Sequence, residues 1–396
     1  MNKIKHISVR TILNSSGGDS FEASVLLEDG SQGSASAASA ILAGRRENQT
    51  TPHMKDAMAS YAGQVCELID VGYTQREWDD VLYSHIPMWG TDMVLALSLA
   101  FARASAAAQR RSLVDYISEC GKIPQKVKRF APLIPIFSGG IHAPILGGSM
   151  QQIMLAVSGM PFRDGVDVIR HFYFSFEQKL IESAYFIGYS ASSGFLVRGL
   201  TVEDELSMLS EAIVKSELRE HLSIAVDVAA EHLKTSDGYQ FYYQILSADE
   251  LESMLLRLAQ TYPISYMEDP FDSADIANWA SLHSHLPETT AVISDDLSAT
   301  QTRYLTPSVS DGVIVKMKQV GTLSATLDLI QAARRADMKV CVSHRSIETE
   351  DTFMCDLGIA ANADYMKIGG PRSGERVAKY NRLMKILDGT DNENHW

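Results

Sequence analysis

Six short apolar runs in the second half of the chain each close on a residue suited to catalysis. They are SIAVD at Asp227, ISYME at Glu268, AVISD at Asp295, GVIVK at Lys316, KVCVS at Ser343 with His344 next, and DYMKI at Lys367. Asp227, Glu268 and Asp295 offer hard oxygen donors, the set that suits Mg²⁺, with places left over for water or substrate oxygens. Lys316 and Lys367 complement them. A lysine crowded by a divalent cation or a second lysine has its charged form disfavoured, so its pKa is expected to fall toward a useful range. Such an amine could remove a weakly acidic proton α to a carboxylate, while the other lysine neutralises the carboxylate end. The SHRS tetrapeptide, Ser343 to Ser346, combines hydroxyls, an imidazole and a guanidinium: Arg345 can grip a phosphate bidentately and Ser346 can donate to it.

These residues need elements that bring them to one place. Consecutive runs lie roughly 20 to 40 residues apart, the length of a strand, a helix and two loops. That rhythm predicts a parallel β/α barrel, whose chemistry sits at the C-terminal ends of its strands. Upstream, KHISVRTIL, FEASVLLEDG and SQGSASA alternate as strands do, with a hairpin turn at Asp29-Gly30. Residues 54–120 read as helices, with the Ala/Leu-rich DMVLALSLAFARASAAAQ well buried. The basic, aperiodic GKIPQKVKR from Gly121 to Arg129 is the linker candidate. The expected organisation is an α+β domain over residues 1–125 and a β/α barrel over 130–390. Between Pro132 and Val197 the pattern is less regular: PLIPIF, a Gly-rich SGGIHAPILGG, a strand-like IMLAV, a helix and YFIGYS. The tail DGTDNENHW is polar and expected to fray.

With 396 residues the chain can bury a large core. Its formal net charge of -14 argues against nucleic-acid or anionic-membrane binding, although a local cluster of cations can still receive an anionic substrate. The four cysteines lack metal or redox spacing and are expected to be reduced thiols. No apolar stretch approaches the roughly 18 residues a membrane span needs, and no secretory h-region is seen, so a cytoplasmic location is expected.

At this point the residues resemble a family, enolase (phosphopyruvate hydratase). YMEDPFD, ISDDLSAT, VIVKMKQVGT, VSHRSIETEDTF and KIGGPRSGERVAKYNRLMKI are similar to its blocks, in order. RTILNSSGGDSFEASV resembles its RxxLDSRGNPTVEVEV segment, and SGGIHA resembles NGGxHA. The resemblance implies an enolase-like (β/α)8 barrel with an N-terminal α+β domain, and a homodimer. It implies Mg²⁺ on Asp227, Glu268 and Asp295, Lys316 as the base and Lys367 binding the substrate carboxylate. Arg345 and Ser346 would bind phosphate, His344 would line the site, and His142 would ride the loop that closes over it. Gln319 matches the glutamine beside the base, while Lys318 stands where an asparagine is usual.

The departures fall on proton donors. The two acidic partners that handle the leaving hydroxyl align with Gln152 in MQQIM and near Ser192 in SASSGF. Neither is a useful proton donor at neutral pH. The SGAST loop reads SAILA, with Leu42 in the place of a metal-binding serine, and Asp-Ser-Arg reads Asn14-Ser15-Ser16. The expected function is a divergent Mg²⁺-dependent lyase that acts by α-proton abstraction on a phosphorylated or phosphono three-carbon acid. Three alternatives stay open: a carboxyphosphonoenolpyruvate synthase-like enzyme of phosphonate biosynthesis, a true phosphopyruvate hydratase, and a non-catalytic pseudoenzyme.

Overall fold

Alternating burial along the first 36 residues builds an antiparallel sheet. The structure, a computed structural model, describes residues 2–38, 52–124, 130–140, 150–242 and 244–389. Strand β1 (Asn2–Leu13) pairs with β2 (Asp19–Leu27), β2 with β3 (Gln32–Ser36), and β1 also with the two-residue β4 (Gly72–Tyr73). Phe21, Ala23, Val25 and Leu27 occupy alternate positions of β2 and are buried, so one face is core. The Asp29-Gly30 turn joins β2 to β3 as expected, with Gly30 at φ +91.

Three helices follow: α1 (Met54–Gln64), α2 (Gln75–Ala108) and α3 (Leu113–Cys120). A capping box at Thr74 and Glu77 starts α2, and the chain kinks at Gly90, where φ is 79 and ψ 159. Helix α2 lies so close to β3 that a Cβ on Gly33 would stand 2.4 Å from the Ala100 carbonyl oxygen. One expectation is corrected here. By length and composition α2 could cross a membrane, although 78% of its most apolar window is buried inside the protein. Its hydrophobicity serves the contact with the sheet and the neighbouring helices.

The remaining chain closes a barrel of eight strands. They are β5 (Ala131–Ser138), β6 (Gln152–Val157), β9 (Leu222–Asp227), β12 (Ile264–Glu268), β13 (Ala291–Ser294), β14 (Gly312–Val315), β15 (Lys339–Ser343) and β16 (Tyr365–Lys367). Pairing of β16 with β5 shuts the ring. A hairpin of β7 (Phe186–Tyr189) and β8 (Phe195–Val197) extends the sheet from β5, and β10 (Tyr239–Phe241) with β11 (Gln244–Leu246) forms a separate ribbon. The outer helices are α4 (Phe162–Glu182), α5 (Val202–Val214), α6 (Ala248–Thr261), α7 (Ile276–His285), α8 (Leu323–Arg335), α9 (Phe353–Ala360) and α10 (Gly374–Leu387). Inside the ring, Leu133, Met154, Ala156, Ala225, Tyr266, Ala291, Ile293, Ile314 and Cys341 form a core of their own.

The barrel is not uniformly parallel. Strand β6 runs antiparallel to both β5 and β9, while the other neighbours in the ring are parallel. A parallel return needs a crossover, usually helical, and the Gly/Pro-rich sequence between β5 and β6 has no helical period. The consequence is functional. The first residue of β6, not its last, arrives at the rim where the other strands end, so Gln152 pairs in register with Asp227.

Candidate functional site

Three registered positions form a row across the rim: Gln152 opposite Asp227, and Asp227 opposite Glu268. Asp295 follows the end of β13, the next strand, and Lys367 ends β16 beside Ser343. The buried Lys367 ammonium lies 3.0 Å from Asp227 Oδ2 and 2.9 Å from Glu268 Oε1. Burial alone would lower its pKa, but Asp227, Glu268 and Asp295 outweigh that and raise it. Glu268 is pushed up to about 8 by burial and then by Asp227, against the pull of Lys367.

Lys316 forms an ion pair with Asp295 Oδ2. Burial opposes the ammonium, yet Asp295 prevails and the pKa is raised. In turn burial opposes the Asp295 carboxylate, and Lys316 ahead of Lys367 and Arg345 holds it below the usual carboxylate range. The expected depression of the Lys316 pKa is therefore reversed, because a carboxylate at contact distance outweighs the more distant cations. Gln319 sits beside this pair: it accepts a hydrogen bond from Thr300 Oγ1 and places Nε2 3.5 Å from Asp295 Oδ1. Lys318 is paired with Asp92 of α2 at 2.9 Å.

On the neighbouring rim His344 and Arg345 are buried, Ser346 less so. His344 is driven well below its ordinary pKa, by burial first and then by Arg376, Lys367 and Lys379, and stays neutral. Arg376 Nη1 lies 2.5 Å from His344 Nδ1. A guanidinium can only donate, so Nδ1 accepts and the ring proton resides on Nε2. Arg345, Lys316, Ser343 and Ser36 line one small cavity, so the guanidinium and the lysine amine face a common space.

Gln152 Nε2 donates to Ser192 Oγ at 2.9 Å, and Ser192, Ser190 and Ser138 continue as a chain of hydroxyl contacts at 3.1 and 2.9 Å. All four side chains are buried and neutral. His142 and Leu42 lie outside the described residues.

A family model described as Enolase, C-terminal TIM barrel domain matches residues 129–396. The chain belongs to the enolase family. It is similar to Enolase 2 of Lactobacillus johnsonii, 34% identical over 322 residues that cover 78% of this chain and 74% of that one. It is 29% identical over 410 residues to Enolase of Anaplasma marginale, and 31% over 408 to Enolase of Tropheryma whipplei. Each of these two alignments covers 97% of this chain and 94% of the relative.

Three residues of this candidate site do not lie at the strand ends that the apolar runs mark. Gln151 Nε2 donates to Asp227 Oδ2 at 3.2 Å, and its Oε1 is a buried acceptor with no hydrogen-bond partner among the described residues. Its signal in the sequence was the glutamine doublet of MQQIM, of which Gln152 is the second member. Asp269, in the left-handed region at φ 43, accepts the backbone N–H of Asp295 at 2.9 Å and of Asp296 at 2.7 Å. It thereby fixes the end of β13 relative to β12, and the three aspartates group closely enough to hold a cation. The acidic doublets Glu268-Asp269 and Asp295-Asp296 were the available signal. Arg376 is fully buried on α10; besides His344 it donates to the carbonyls of Arg345, Ser346 and Ala191 at 3.0, 2.8 and 3.1 Å. A Cβ on Gly369, at φ +83, would stand 2.7 Å from Arg376 Cδ, which explains the glycine.

The N-terminal motif reaches the same loop. Asn14 Oδ1 accepts from the N–H groups of Ser16 and Gly18 at 3.0 Å each, closing the turn between β1 and β2. Ser15 N–H then donates to the Glu348 carbonyl at 2.8 Å, and Glu348 N–H to Ser15 Oγ at 3.0 Å. Arg103 of α2 grips Asp351 with both nitrogens, at 2.6 and 2.9 Å. The SHRSIETED loop is thus held from the sheet, from α2 and from α10.

Proposed function

We propose that this enolase-family chain is a Mg²⁺-dependent lyase. It removes the proton α to the carboxylate of a phosphorylated or phosphono three-carbon acid, without the leaving-group acid of an ordinary phosphopyruvate hydratase. The observation that carries the reading is the meeting of Lys316 and Lys367 with Asp227, Glu268 and Asp295 at one rim.

The donor set fits the ion: three hard carboxylates, each already holding a cationic ammonium, with Gln151 Oε1, unpartnered among the described residues, alongside. Bound to Asp227, Glu268 and Asp295, Mg²⁺ would supply positive charge to an enediolate. With Asp295 among the residues that would hold the ion, the charge that keeps Lys316 protonated would be shared. The neutral Lys316 Nζ can then accept the C2 proton, and the C–H electron pair moves into the carboxylate. Lys367 faces the negative charge that develops there. Arg345 and Ser346 hold the phosphoryl end, and His344, neutral with its proton on Nε2, can donate to a substrate oxygen.

Elimination of hydroxide needs a proton that neither Gln152 nor Ser192 supplies. That neutral pair favours a substrate bearing its own acidic group, as in a carboxyphosphonoenolpyruvate synthase-like reaction. A homodimer belongs to the same proposal, on the family resemblance. The test is to incubate C2-deuterated 2-phosphoglycerate with the chain and Mg²⁺. Washout of deuterium without matching dehydration supports the reading. Washout coupled to full dehydration favours a true hydratase, and neither binding nor washout favours a non-catalytic role.

A further inference from the structure

The interior of the barrel carries a polar contact that the proposed chemistry does not use. Tyr266 and Glu268 are two positions apart on β12, so both point inward, one layer above the other. Tyr266 is 0% exposed, and its hydroxyl donates to Glu268 Oε2 at 2.7 Å. Its register partners on the flanking strands are Ala225 and Ala291, and these small inward residues leave room for the ring. Tyr365 packs edge-on against it, with ring centroids 5.1 Å apart. Cys341 belongs to the same inner core of the barrel.

A hydrocarbon ring would fill this space equally well. A buried phenol requires a partner, and here the partner is Glu268. Glu268 is otherwise held by Lys367, through Oε1 at 2.9 Å and Oε2 at 3.1 Å. That ammonium sits on a long, rotatable stem and, in the proposed reaction, turns toward the substrate carboxylate. The phenol comes from a ring locked between two strands. We propose that Tyr266 is the positioning residue for Glu268, fixing its carboxylate from beneath so that the opposite side stays directed at a divalent cation. This rests on the reading of Asp227, Glu268 and Asp295 as a cation site.

The experiment measures Mn²⁺ affinity, by paramagnetic resonance of the free ion and by calorimetry, for the full chain and for Tyr266→Phe, Tyr266→Met and Glu268→Gln. Loss of a hydrogen bond to a metal ligand typically costs 10- to 100-fold in affinity. Tyr266→Phe and Tyr266→Met are expected to weaken Mn²⁺ by about that factor, with melting in chelator little changed. Tight binding by the unaltered chain, its loss in Glu268→Gln and unchanged affinity in both Tyr266 variants would overturn the positioning role alone. Absence of Mn²⁺ binding by the unaltered chain would overturn the cation reading itself. Failure of both Tyr266 variants to fold, or a fall in melting temperature with no change in affinity, would make the hydroxyl a core-stability group and also overturn the role.

Discussion

Gln152 donates to Ser192 across 2.9 Å, and neither side chain can carry charge. Where the family resemblance puts two acids, this chain has an amide bonded to a hydroxyl. The pair sits one strand from Asp227 and continues inward through Ser190 and Ser138, so its neutrality is built into a buried network. A carboxylate introduced here would face Asp227 and Glu268 with no added cation, at a cost in stability.

Dehydration of 2-phosphoglycerate should therefore be slow. General-acid assistance is typically worth ~10² to 10⁴ in rate, and the deficit against a housekeeping enolase should fall in that range. Parallel measurement of C2-deuterium washout and phosphoenolpyruvate formation separates the two half-reactions, and dehydration at an ordinary rate would refute the loss of the acid.

Lys316→Ala should abolish that washout, by at least about 10²-fold. The variant also leaves Asp295 buried without its partner, which should cost a few kcal/mol of stability in chelator. Mg²⁺ should restore part of this loss. Undiminished exchange would remove Lys316 from the base role.

Metal and ligand should stabilise the chain together. At a ligand concentration near 100 times its dissociation constant, linkage predicts roughly 2.7 kcal/mol. Mg²⁺ with phosphoenolpyruvate should raise the melting temperature by several degrees over chelator. Asp227→Asn, which removes a proposed ligand, should erase most of that shift.

Arg376→Lys should damage the phosphate grip although charge is kept. A lysine cannot reproduce the fork that serves His344, Arg345, Ser346 and Ala191 at once. Loss of stability of roughly 2 to 4 kcal/mol is expected from the carbonyls left unmet. In steady-state assays KM for the phosphorylated substrate should rise more than kcat falls.

Asp79 should make stability fall across mildly acidic pH. Fully buried on α2, it accepts from Ser98 Oγ at 2.6 Å and Ser324 N–H at 2.8 Å, and burial pushes it up to about 6. A carboxyl raised in the folded state binds its proton more tightly there than in the unfolded chain. Its contribution is complete below the ordinary pKa of 3.8 and is lost as pH climbs through about 6. The loss is of order 3 kcal/mol. Denaturant midpoints at pH 5 and 8 should converge in Asp79→Asn, and an unaltered difference would assign the pH dependence elsewhere.

Much of this protein was written in local pattern. Period-two alternation and the Asp29-Gly30 turn foretold the N-terminal sheet, and six apolar runs ending in Asp227, Glu268, Asp295, Lys316, Ser343 and Lys367 foretold the barrel and its rim. Each depends on residues within a few positions of one another, which is what a linear reading can see. The order of the motif blocks was enough to place the chain near enolase. What folding alone decided involves residues far apart in sequence. The reversed sense of β6 brings Gln152 to Asp227; the barrel closure sets Lys367 between Asp227 and Glu268; α10 delivers Arg376 to His344; and Ala225 and Ala291 admit Tyr266 beneath Glu268. The protonation of Lys316 belongs to the same class. It depends on whether burial or a carboxylate at contact distance dominates, and Coulomb interactions in a low-dielectric interior are fixed by separations that only the closed barrel defines.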